Sequence, residues 1–131
     1  MEPMTDLEAM LESLSISRRP GIYTFVTMQN PPEGLAVDAV INEDEGTTLV
    51  LDADTARSLG HPVTFEAAWL TLDVHSALEA VGLTAVFSAA LAEAGIPCNV
   101  LAGFHHDHVL VPADRADEAI AAITARAGSR G

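Results

Sequence analysis

The sequence predicts an α+β fold, an antiparallel sheet covered on one side by helices. Three observations carry this. Residues 65–74 alternate strictly and are apolar on both faces. Leu83, Val86, Phe87, Ala90, Leu91 and Ala94 recur at helical spacing directly after Gly82. Two strand-like runs then meet at a tight turn before a last helical run begins near Asp114.

In chain order, Thr5 and Glu8 form a capping box, and Leu7, Met10, Leu11 and Leu14 predict a helix over 6–14. Pro20-Gly21 breaks the pattern. Over 22–28, Ile22, Thr24, Val26 and Met28 alternate with Tyr23, Phe25 and Thr27, which predicts a strand. Asn30-Pro31-Pro32-Glu33-Gly34 reads as a turn. Strands are expected over 35–41 and 47–51, joined at Glu43-Asp44-Glu45-Gly46, then a short helix over 54–59 stopped by Gly60. His61-Pro62 opens a connector.

The second half is more regular. The strand over 65–74 places Ala68, Leu70, Leu72 and Val74 on one face and Phe65, Ala67, Trp69 and Thr71 on the other, so it is expected in the middle of a sheet covered twice. A loop over 75–81 leads to Gly82 and a helix that Gly95 ends. Strands over 96–104 and 108–112 flank a turn at 105–107. Asp114 is the expected cap of the last helix, with Ala116, Ala119, Ile120 and Ile123 inward. The order β-α-β-β-α is a ferredoxin-like βαββαβ unit without its last strand. The first half, α-β-β-β-α, reads as a degenerate copy that lends or borrows that strand. The expected units are 1–62 and 63–131.

A chain of 131 residues holds one compact domain or two very small ones. Its formal net charge is −13 and it contains no lysine, its six basic residues all being arginine. That excludes a P-loop or Schiff-base lysine, and the negative field repels phosphate backbones and anionic lipid. Nucleic acid and membrane are therefore not expected partners. The single cysteine, Cys98, makes no internal disulfide, the first ten residues are acidic rather than basic, and no apolar run is long enough to span a bilayer. A cytoplasmic location and no cofactor are expected.

Several residues invite chemistry. In a strand His106 and His108 point the same way and Asp107 the other, and a zinc site over 105–108 needs a further ligand such as His75. The plainer reading is a hairpin rich in turn-forming residues. Cys98 with His75 is a candidate nucleophile and base, but a cysteine within a strand usually packs in the core. Glu43, Asp44 and Glu45 suit a solvated hairpin tip better than a divalent-ion site. Trp69, Phe65 and Leu101 are expected on the face away from the helices, where another layer or a second copy of the chain covers them.

The runs Phe65–Leu72, His75–Ala85, Ile96–Val100 and His106–His108 together resemble a family of small bacterial tandem ACT-domain proteins. ACT domains are βαββαβ regulatory modules that typically bind amino acids, as in aspartate kinases. The resemblance is close over about 60–115 and looser before it. It implies the ferredoxin-like ACT fold in two tandem units, the N-terminal one degenerate. It also implies an amino-acid ligand, and a homodimer as one arrangement. The loop fits that implication. A helix start presents unpaired N–H groups and a partial positive charge to a carboxylate, and Gly82 lets a ligand approach the backbone; a plain turn glycine is the bland alternative. No arginine lies between Arg57 and Arg115. Unless Arg57, Arg115 or another chain folds in, Ser76, Ala77, Leu78 and Gly82 are expected at the carboxylate end. By the resemblance, Asn99 and the backbone of Cys98 and Val100 complete the pocket, and Asp107 is a further candidate for the amino group. Acylphosphatases share the strand order, but their phosphate loop needs an arginine that 75–82 lacks. The expected function is non-catalytic amino-acid binding. The alternatives are a ligand-free module that docks on a metabolic enzyme, and a metal-dependent enzyme using 105–108.

Overall fold

The computed structural model describes residues 11–73 and 82–128. Residues 11–13 are helical, and the rest of the helix expected over 6–14 lies outside the described residues. Strands β1 (Ser15–Met28), β2 (Ala39–Glu43) and β3 (Gly46–Asp52) lead to helix α1 (Ala53–Ser58). Then come β4 (Ala67–Asp73), α2 (Leu83–Glu93), β5 (Asn99–Ala102), β6 (Asp107–Pro112), a 3₁₀ turn (Ala113–Arg115) and α3 (Ala116–Gly128).

The chain packs as two compact units. One is Pro20–Ala67, and the other combines Met1–Arg19 with Ala68–Gly131. Residues 11–19 therefore pack with the C-terminal half, whereas sequence order groups them with 1–62. In this larger unit the strands lie in the order β1-β4-β6-β5, with the Ser15–Arg19 part of β1 beside β4. That is the strand order of a βαββαβ unit whose fourth strand comes from the start of the chain. The N-terminal segment lends the strand that the second half lacks.

The larger unit's core lies between sheet and helices. Ala68, Leu70 and Leu72 of β4 and Val109 and Val111 of β6 share it with Leu83, Phe87 and Leu91 of α2 and Ala116, Ala119 and Ile123 of α3. The alternation thus does what it predicts, one face of β4 entering this core. Burying Phe87, 1% exposed, is worth about 2–3 kcal/mol. Outside the core, the Arg126 guanidinium of α3 pairs with Glu93 of α2.

In the smaller unit the strands run β2-β3-β1, all antiparallel, with Tyr23 opposite Asp52 and Val40 opposite Leu49. Val26, Leu49, Leu51 and Ala56 form its core. The Asp52 carboxylate caps α1 by accepting from Thr55 N–H at 3.0 Å.

Four elements differ from expectation. β1 starts seven residues before Ile22 and passes through Pro20-Gly21. Gly21 takes φ 102°, open to glycine, and the Tyr23 hydroxyl donates to Pro20 O at 2.7 Å. β1 thus runs through the breaker pair without interruption. β2 begins at Ala39 rather than 35, and β5 spans only Asn99–Ala102. Asp114 does not cap α3. It sits inside the 3₁₀ turn, which follows Pro112 and has no side-chain cap.

Candidate functional site

Helix α2 begins at Gly82, which takes φ 101° and ψ −21°. An L-residue is strained there, so the turn requires glycine. Val86 N–H donates to Gly82 O at 3.0 Å, the first bond of the helix. Among the described residues no side chain caps this end, and its first turn holds no acidic residue, so the N–H groups of that turn are open to an anion. Ser76, Ala77, Leu78 and His75 lie outside the described residues.

The other end of α2 fixes its direction. Arg115, just after β6, donates from Nη1 to Gly95 O at 2.7 Å and from Nη2 to Ala94 O at 3.0 Å. The C-terminus of α2 therefore sits by the end of β6, and its N-terminus lies about 16 Å back, toward the beginning of β6. The end of β4 is there too. Asp73 Oδ1 stands 3.4 Å from His106 Nδ1, and His108 faces Trp69 and Thr71. One end of the sheet thus gathers the exit of β4, the entry of α2 and the first residues of β6.

Asp107 opens β6 on the side of Val109 and Val111, the helix side. Burial pushes its carboxyl above the usual carboxylate range, against a smaller opposing effect of His108. A half-buried carboxyl with a raised pKa suits a cationic partner, whose charge favours the ionised form. Asn99 pairs with Leu110 while Asp107 pairs with Ala102, so the two stand at opposite ends of the β5–β6 ladder. Asn99 is exposed, and Cys98 and Val100 pack against the core at that remote end. The structure brings Gly82 and Asp107 to one end and leaves Cys98, Asn99 and Val100 at the other. Burial also raises the Cys98 thiol pKa, the opposite of what a nucleophile needs.

The two arginines that bracket this region in the sequence are engaged. Besides the two carbonyls, Arg115 meets Glu118 at 2.7 Å, and Arg57 meets Glu66 at 2.6 Å and Asp54 at 3.2 Å. His106 and His108 do point the same way, with ring centroids 6.3 Å apart. Among the described residues, no three or more His, Cys, Asp or Glu side chains gather to hold a metal ion. No helix among them is long and apolar enough to cross a membrane.

Sequence reasoning missed the cluster on the sheet's other face. The Trp69 indole N–H donates to His108 Nδ1 at 3.1 Å, the Thr71 hydroxyl lies 3.1 Å from the same nitrogen, and the Arg19 guanidinium covers the indole at 4.2 Å. Alternation places Trp69 with Thr71 and His106 with His108, but nothing in the sequence says that the two pairs are neighbours. Of the other residues expected on that face, Phe65 precedes β4 and stacks on Phe25, with ring centroids 6.3 Å apart.

Two ACT-domain family profiles match, one over residues 2–68 and one over 64–125. The chain belongs to the ACT-domain family. It carries two ACT domains in tandem, and its ferredoxin-like strand order is that of the fold. A Vibrio cholerae protein of unknown function, with a transport role suggested for it, is 41% identical and superposes with a TM-score of 0.83, over 92% of this chain and 95% of that one. The ligand-free regulatory subunit of Thermus thermophilus aspartate kinase matches at 12% identity and TM-score 0.62, over 87% and 98% of the two chains. Aspartate kinase of Clostridium acetobutylicum matches at 9% identity and TM-score 0.62, over 86% of this ACT chain and 34% of the kinase. At such identities the likeness is one of fold. No curated protein matches the sequence significantly.

Proposed function

We propose that this tandem ACT protein, with repeats over 1–62 and 63–131, is a non-catalytic regulatory module that binds a free amino acid. The observation that carries the reading is the start of α2. A left-handed glycine opens an 11-residue helix with no side-chain cap and no acidic first turn. In this reading the ligand carboxylate rests on main-chain amides at Gly82 and on residues 76–78, and Asp107 receives the ammonium group. The engagement of Arg57 and Arg115 supports a carboxylate held by amides rather than by guanidinium. Membership of the ACT family and likeness to aspartate kinase regulatory regions support the regulatory role. A second copy of the chain is the proposed structural partner, in the cytoplasm.

A thermal-shift screen of the twenty amino acids tests this. At 100 times its dissociation constant a ligand adds about 2.7 kcal/mol to stability. At least one amino acid is expected to raise the melting temperature at millimolar concentration. A flat response across all twenty overturns the reading in favour of a docking module without ligand.

A further inference from the structure

We propose that Trp69, Thr71 and His108 form a proton-operated latch between β4 and β6. His108 Nδ1 faces two groups at 3.1 Å, the Trp69 indole N–H and the Thr71 hydroxyl. Indole N–H donates and never accepts. The imidazole is therefore neutral, with its proton on Nε2 and its Nδ1 lone pair accepting. A hydroxyl both donates and accepts. A proton added at Nδ1 turns that nitrogen into a donor. Thr71 Oγ1 then rotates and accepts from it, whereas the Trp69 N–H meets a second N–H and loses His108 as its acceptor. One proton thus exchanges the Trp69 bond for a Thr71 bond, and two discrete arrangements exist at one place.

The surroundings set the balance. Burial first, then Arg19 over the Trp69 ring and His106 beside His108, oppose the imidazolium, and Asp107, next in the chain, favours it. Asp73 Oδ1 stands 3.4 Å from His106 Nδ1. Across the ladder His108 faces the uncharged Leu101, and a Cβ on Gly103 would stand 3.3 Å from His108 Nε2, so the ring is closely confined on the β5 side. Trp69 is 3% exposed. Its indole N–H cannot turn to water without movement of the ring, so the exchange is a change of packing.

The protein contains one tryptophan, so its emission reports the latch directly. The full chain is titrated from pH 7.5 to 5 by tryptophan fluorescence and by the indole N–H and histidine ring resonances, with far-UV circular dichroism monitoring the fold. The expected result is a Trp69 transition with the same midpoint as His108, below the ordinary histidine value, at constant secondary structure. His108→Gln retains an acceptor for the indole and cannot be protonated there, so the Trp69 transition disappears. Thr71→Val removes the alternative acceptor and lowers the His108 midpoint by about one pH unit, the scale of one charge-assisted hydrogen bond. A Trp69 signal that stays flat while His108 titrates overturns the latch, as does a transition that persists in His108→Gln. If either variant fails to fold, the coincidence of the two midpoints in the unaltered protein still decides. None of these readouts depends on the amino-acid reading, so each proposal fails separately.

Discussion

Arg115 donates to the main-chain oxygen of Gly95 at 2.7 Å, tying the turn after β6 to the end of α2. Together with its bond to Ala94 O it satisfies carbonyls that a helix C-terminus leaves unpaired and places a cation at the negative end of the dipole. The hydrogen bonds it donates to Glu118, joined by the attraction of that carboxylate, hold the guanidinium still more firmly protonated. Arg115→Met is therefore expected to lower the urea midpoint, and by more than Glu118→Ala, because it leaves two carbonyls without partners. Ligand affinity is expected to persist in Arg115→Met, measured by calorimetry. Loss of binding without loss of stability would place the carboxylate on this arginine instead of on the α2 amides.

The Asp52 cap of α1 gives a simpler test. Asp52→Ala removes the acceptor of Thr55 N–H and is expected to cost about 1 kcal/mol by chemical denaturation. Asp52→Asn retains an acceptor and recovers most of that loss.

Two side chains make stability depend on pH in opposite senses. Burial first, then Arg19 and His106, depress the His108 pKa below its ordinary 6.5. The folded chain therefore binds this proton less readily than the unfolded chain. The stability linked to His108 is complete above pH 6.5 and declines as the pH falls toward the depressed folded value. Unfolding curves at pH 7.5, 6.5 and 5.5 are expected to show that decline, and His108→Gln to reduce it.

Asp107 acts the other way. Its folded pKa is raised above 3.8, so its contribution is present below that value and lost as the pH rises through the folded pKa. At pH 7 its ionised form is a net cost. Asp107→Asn is expected to stabilise the ligand-free protein at pH 7, by less than about 1 kcal/mol because solvent screens a half-exposed group. The same variant is expected to weaken amino-acid binding, since an amide attracts an ammonium group less than a carboxylate does. A stabilised variant with unchanged affinity would remove Asp107 from the site.

The sequence showed most where a single element explains a residue, and least where two distant segments meet. Alternation in β4 and spacing in α2 are local properties, so Leu70, Leu72, Phe87 and Leu91 were legible as core. Pro20-Gly21 was read as an end because a breaker pair usually is one. Here a continuous strand runs through it, because residues on both sides of the pair find partner strands. Asp114 was read as a cap from type and position, but the intervening 3₁₀ turn shifts the start of α3 two residues on. Gly82 was legible because it stands between a loop and a clear helical period. The Trp69–His108 pairing was not, since it joins residues thirty-nine apart whose contact depends on strand order.

Gly82 is the residue on which the functional reading turns, and two substitutions separate its roles. Its φ of 101° lies where a Cβ meets the following backbone, so Gly82→Ala is expected to cost about 1–2 kcal/mol of stability. Gly82→Val adds a branched side chain and costs more. If the α2 amides hold the carboxylate, either change also reduces amino-acid affinity beyond the loss in stability, because the new atoms stand where the ligand approaches. Calorimetry on folded Gly82→Ala, at a temperature well below its melting point, measures that part alone. A tenfold or greater loss of affinity, about 1.4 kcal/mol, agrees with a ligand on the helix start. Affinity unchanged in a folded Gly82→Ala chain would leave Gly82 as a turn glycine and move the carboxylate elsewhere.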